Sequence, residues 1–149
     1  MFLKNKKGEL VNIKNVVAAR PFIANYCPPT IHMYTKGGHK VRFYHTSESA
    51  ASQAHKAIKE LLVHGPKYNQ QPWSNTIVKW IDVDGNMFMI DQIECVLVEG
   101  WVVTVYLENT KLEFFNHNDK ELEQCLRNFE IALMGIGHII KLDGWKAEG

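Results

Sequence analysis

Short segments with apolar residues at every second position recur along this chain, and twice that rhythm gives way to a helical one. Phe2-Leu3-Lys4 opens a short strand, and Lys6-Lys7-Gly8 turns it into Leu10–Ile13, where Val11 and Ile13 share a face. Val16–Arg20 predicts a third strand, which Pro21 is expected to stop. Thr30–Thr35 and Lys40–His45 flank Lys36-Gly37-Gly38-His39, whose paired glycines mark a hairpin turn. In the second of these strands Val41, Phe43 and His45 lie on one face, and Lys40, Arg42 and Tyr44 on the other. Ser47 then caps a helix running to about Val63, with Ala51, Ala54, Ile58, Leu61 and Leu62 as its apolar stripe.

The same series then begins again. Strands are predicted at Ile77–Val83, Met87–Ile90, Ile93–Val98, Trp101–Leu107 and Lys111–Phe115, with Asp84-Gly85 as a tight turn. Asn118 with Glu121 forms a capping box. It opens a helix whose stripe is Leu122, Cys125, Leu126, Phe129, Ala132 and Leu133. Gly8–Val16 and Gly85–Ile93 correspond in pattern, as do Lys40–His45 and Lys111–Asn116, and Ala54, Ile58 and Leu62 correspond to Cys125, Phe129 and Leu133. The predicted class is therefore α+β, an internal duplication of a module of about five antiparallel strands plus one helix. A half of this size is near the lower limit for an independent core, so the halves are expected to share one compact unit with pseudo-twofold symmetry.

Residues 1–63 form the first module on this reading, 64–76 a linker, and 77–149 the second module with its tail. Gly65, Pro66 and Pro72 break the helical period in the linker, although Trp73 is apolar enough to pack down. Ile23–Pro29 reads as an irregular insertion, because the second half has only Glu99-Gly100 there. His138–Trp145 is apolar enough for an extra strand or a partner-binding edge.

Composition adds little to the fold and more to the function. Of 149 residues 46% are hydrophobic and 22% charged, a globular balance. No apolar run approaches the length of a membrane span or a signal peptide. Three widely spaced cysteines without a CxxC motif point to a reducing cytoplasm and away from structural zinc. The net charge of +1 divides unevenly. Residues 1–62 hold ten Lys/Arg against three Glu, a balance of +7, and residues 63–149 hold seven against thirteen, a balance of −6. A basic half can attract an anion, and oppositely charged halves can also meet each other, within a chain or between copies.

The chain has no GxSxG, Walker, GxGxxG or HExxH motif. Cys125 falls in a core stripe. The Asp82/Asp84 pair beside a tight turn fits a solvated strand end better than acid–base chemistry. No cofactor and no metal site is expected, and the histidines lack ligand spacing. The chemistry that remains is a basic and aromatic set in the first half: Arg20, Tyr34, Lys36, His39, Lys40, Arg42 and Tyr44. Two cations and a ring on one strand face suit phosphate pairing and base stacking. The corresponding second-half face, Lys111, Glu113 and Phe115, is acidic at the arginine position. A site would then belong to the first half alone or form between the halves.

In its order of strands and one helix the pattern resembles several small bacterial modules, LytTR-type DNA-binding domains among them, and no residue is carried over from that resemblance. The leading expectation is a non-enzymatic binding protein that grips or sequesters an anionic small molecule of nucleotide type, as some phage-type inhibitors do. The alternatives are a protein–protein interaction or self-assembling subunit, and a nucleic-acid-binding module using the basic half. No membrane association is expected, and a homo-oligomer is.

Overall fold

The computed structural model describes residues 2–24, 27–64 and 80–135. The linker with Trp73, the start of the second module before Trp80 and the apolar tail lie outside the described residues. In the first half, β1 (Phe2–Lys4), β2 (Leu10–Asn12), a short 3-10 turn (Ile13–Asn15), β3 (Val16–Ala24), β4 (Cys27–Thr35) and β5 (Lys40–Tyr44) precede α1 (Glu48–His64). In the second half the order recurs: β6 (Trp80–Val83), β7 (Asn86–Met89), a 3-10 turn (Ile90–Gln92), β8 (Ile93–Glu99), β9 (Val102–Leu107) and β10 (Lys111–Phe115), then α2 (Asp119–Met134). Among the described residues the class is α+β, with antiparallel strand pairing and two α-helices.

Among the described residues the strands form three sheets, and the largest mixes the halves. Its order is β1-β2-β8-β9-β10, beside a three-stranded sheet β3-β4-β5 and the separate hairpin β6-β7. The mixed sheet exists because Leu10 pairs with Val96 and Val11 with Cys95. Alternation along β1 and β2 then sends Phe2 and Leu10 to one core and Leu3 and Val11 to another. The first core lies under α2, around Phe129, Phe88 and Val105. The second lies under α1, around Ile58, Ile31, Met33 and Phe43. Strand β8 feeds both, Val96 into the first and Cys95 into the second, so a continuous apolar run serves it better than alternation.

Local signals place most elements. The Ser47 hydroxyl accepts the Ala50 amide at 3.1 Å, which starts α1. Asn118 accepts the Glu121 amide at 2.9 Å, and the Glu121 carboxylate accepts the His117 amide at 2.8 Å. The glutamate thus reaches one residue further back than in the usual capping box. Two expectations need correction. Pro21 does not end its strand; β3 continues through it, paired with Ile31, to Ala24. An outer strand tolerates the missing N–H that a central strand would not. The segment expected to be an irregular insertion accordingly lengthens β3 and β4 to nine residues each. Leu62, placed in the α1 stripe by its spacing, is 39% exposed, because among the described residues no side chain fills the groove between this end of the helix and β3.

Two buried carboxylates fix the seam. Glu9 accepts the Asn5 side-chain amide at 2.9 Å and the Val98 backbone amide at 2.8 Å, and Asn5 also donates to the Arg42 carbonyl at 2.9 Å. A register shift between Ile93 and Cys95 gives β8 an extra residue, Glu94. Its buried carboxylate accepts the Gly37 amide at 2.8 Å and bonds the Thr35 hydroxyl, so the β4–β5 turn is held by the second half. A Cβ on Gly37 would come within 2.6 Å of both Glu94 carboxylate oxygens. Gly37→Ala should therefore displace this carboxylate from its partners and cost about 1–3 kcal/mol, the usual penalty for a buried polar group left unpaired. Urea unfolding measures the loss, and an unchanged midpoint would show that the turn does not depend on Glu94.

Candidate anion-binding face

The three-stranded sheet has one apolar face and one basic, aromatic face. Cross-strand pairing places Ala19, Met33 and Val41 in one row and Pro21, Ile31 and Phe43 in the next. Met33, Val41, Ile31 and Phe43 are buried and point toward α1. The intervening rows point the other way. Arg20 pairs with His32 and His32 with Arg42, giving one basic row across all three strands. Ala18, Tyr34 and Lys40 form the row beside it, and Phe22, Thr30 and Tyr44 the row on its other side. Five of the seven residues singled out from sequence, Arg20, Tyr34, Lys40, Arg42 and Tyr44, thus share one face. Lys36 and His39 do not lie on it; they belong to the β4–β5 turn, with Lys36 exposed.

His32 sits at the centre of this face. Its ring stacks on Phe22, with centroids 5.2 Å apart and planes 15° apart, and it meets Tyr34 edge-on at 6.3 Å. Burial holds the His32 imidazole below its ordinary pKa, and the positive charges of Lys40, Arg42 and Arg20 push it further down. At neutral pH it is an uncharged ring between two guanidinium groups. The two-residue period that links His32 to Tyr34 is the sequence signal for this residue.

Towards the second half the face ends in a cavity of about 210 Å³. Lys40, Arg42 and Tyr44 line one side, and Leu97, Thr104 and Tyr106 of β8 and β9 the other. Lys7 from the β1–β2 turn adds a further cation. Glu9 and Glu99 border it as well; both oxygens of Glu9 are occupied by the hydrogen bonds described above, while Glu99 is exposed. His39 reaches across the same seam and lies against Tyr106, with ring centroids 3.9 Å apart. Sequence periodicity could not find Lys7, Thr104 and Tyr106, because only the β2–β8 pairing brings their strands here.

The chemistry offered is recognition. Three arginine and lysine side chains with a neutral imidazole can hold an anion by charge-assisted hydrogen bonds, and Tyr34, Tyr44 and Phe22 supply ring faces and edges. Among the described residues no three His, Cys, Asp or Glu side chains come together as a metal site. Cys95 is buried in the core and burial pushes its thiol up to about 12; burial also raises Cys125. Neither sits as a thiolate nucleophile.

The His32 environment gives a sign to test. With a folded pKa below the unfolded value of 6.5, the unfolded chain takes up a proton that the folded chain resists. The contribution of His32 to stability is therefore unchanged above that value and lost progressively as the pH falls below it. An NMR titration should show His32 protonating below 6.5, and Arg42→Gln should move it back up; an imidazole that titrates at or above its ordinary value in the native chain would contradict the crowding of cations described here.

No match to the chain was found among protein-family models, curated proteins or solved structures.

Proposed function

We propose that this protein is a non-enzymatic binding protein that grips an anionic small molecule of nucleotide type on the basic face of the β3-β4-β5 sheet. The observation that carries this reading is the Arg20–His32–Arg42 row, which continues through Lys40 and Tyr44 into a cavity shared with β8 and β9. Like charges on neighbouring strands repel one another, and an anion between them removes that repulsion. Phosphate groups suit the guanidinium and ammonium groups, and a flat heterocycle suits the ring edges and faces beside them. The cavity is too small for a whole nucleotide, so it would take one end of such a ligand, with the rest lying along the open face. Sequestration in the manner of a phage-type inhibitor is the role this arrangement suits, and a cytoplasmic setting supplies such ligands.

The recurring order of elements supports an internal duplication. On that reading the halves diverged in charge, and the binding face stayed with the first. Glu113 in β10 stands where Arg42 stands in β5, so an anion is favoured on one half only.

The reading is tested on the full chain by charge reversal. Each charge-assisted hydrogen bond contributes about 1.5–3 kcal/mol, and about 1.4 kcal/mol is tenfold in affinity. Lys40→Glu with Arg42→Glu should therefore weaken binding of adenosine diphosphate or pyrophosphate by at least about a hundredfold, with the circular dichroism unchanged. Native mass spectrometry of protein purified gently from cells, before and after denaturation, looks for a natural ligand by its mass. Unchanged affinity in the doubly reversed variant would remove this face as the site.

A further inference from the structure

The two hairpins that open the two halves meet different fates. The β1–β2 hairpin is bonded to the outer edge of β8 and seated against α2, whereas among the described residues no strand pairs with the outer edge of β3. Between β3 and α1 lies an open apolar groove of about 860 Å³, lined by Val17, Ala19, Ile58, Leu62 and Lys59 among others. Val17 is 61% exposed there. The β6–β7 hairpin meanwhile buries one face, Ile81, Val83 and Phe88, in the core under α2 and leaves its other face, Trp80 and Met87, 49% and 58% exposed.

Pairing within the hairpins shows what these exposed residues correspond to. Trp80 faces Met89 where Phe2 faces Asn12, and Asp82 faces Met87 where Lys4 faces Leu10. Trp80 and Met87 therefore stand where Phe2 and Leu10 stand, and those two are buried against α2. The charges follow the same rule. Lys4 bridges Glu130 of α2 at 2.9 Å, and Glu130 follows Phe129 as Lys59 follows Ile58 in α1. The residues corresponding to the Lys4–Glu130 pair are Asp82 and Lys59, opposite charges again with their signs exchanged. The groove also carries Lys14 and His55, and the hairpin carries Asp84 at its turn.

We infer that the β3–α1 groove is an interface for the β6–β7 hairpin of a second copy of this chain, seating Trp80 and Met87 on Val17 and Leu62 and pairing Asp82 with Lys59. A second copy fits because the hairpin is held in its own core by Ile81, Val83 and Phe88, so its outward face can dock on a neighbour without leaving its place. The inference is independent of the anion-binding reading and uses a different surface.

The full chain, without added ligand, is examined by native mass spectrometry and sedimentation velocity over a dilution series. The wild type is expected at the mass of two or more copies. Val17→Glu, at an exposed position that the fold does not need, should shift the protein to the single-chain mass with its circular dichroism intact. Lys59→Glu and Asp82→Lys should each weaken assembly, and mixing the two variants should restore it, because the altered groove then meets the altered hairpin on another chain. A wild type at the single-chain mass throughout, or an assembly that Val17→Glu leaves unchanged, overturns the proposal. So does failure of the mixture when the chain carrying both changes regains wild-type thermal stability, since that result places the contact within one chain.

Discussion

The fold depends on the pairing of β2 with β8. Each core takes residues from both halves, Phe2 and Leu10 completing the one under α2 and Cys95 the one under α1, and a half of this length alone is marginal. Pairing Leu10 with Val96 and Val11 with Cys95 lets one short hairpin serve two cores, since neighbouring residues on a strand point to opposite faces. The polar residues at the seam hold that register. Asn12 and Asn15 both donate to the Ile93 carbonyl, at 2.9 and 3.2 Å, and Glu9 takes the Val98 amide. A shift by one residue would expose Phe2 and Leu10 and leave a buried carboxylate unpaired, so the register is fixed by both apolar and polar terms.

The candidate site follows from the same seam. Because Asn5 ties the Arg42 carbonyl to the β1–β2 turn, β5 lies beside the mixed sheet and its outward side chains face β8 and β9. Because Glu94 holds the β4–β5 turn through Gly37 and Thr35, the strand carrying Tyr34 and the strand carrying Lys40 are fixed where they meet. The cations are thus placed by backbone and buried carboxylate contacts, and among the described residues no carboxylate forms an ion pair with their guanidinium and ammonium groups. Neighbouring cations on such a face repel one another, and a counter-ion would relieve that repulsion.

Much of this was legible along the chain, and the rest was not for definite reasons. The period of two placed Lys40, Arg42 and Tyr44 opposite Val41 and Phe43, and the caps at Ser47 and Asn118 set both helix starts. These are local signals, spanning a few residues. Pro21 misled because its effect depends on whether its strand is central or outer, a property of the sheet and not of the segment. His32 lies within reach of the same period of two, counted back from Tyr34, whereas Lys7 and Tyr106 join the set only through the β2–β8 contact, across about 90 residues of sequence in the case of Lys7 and Val98. Glu94 and Glu9 read as ordinary strand carboxylates until burial shows which amides they accept.

The charge asymmetry between the halves has a consequence for association as well as for ligands. If each groove recognises a hairpin by apolar seating plus one ion pair, two grooves of similar shape risk receiving the wrong hairpin. Exchanging the signs prevents this. The β1–β2 hairpin in the β3–α1 groove would set Lys4 beside Lys59, and the β6–β7 hairpin against α2 in the place of β1–β2 would set Asp82 beside Glu130. Exposed ion pairs add little affinity, about 0.2–1 kcal/mol, but like charges forced together at a partly desolvated contact are disfavoured more strongly. The basic first half and acidic second half would then separate two similar docking events while leaving the arginine-rich sheet face open, and a single division of charge would serve both selectivity in assembly and attraction of an anion.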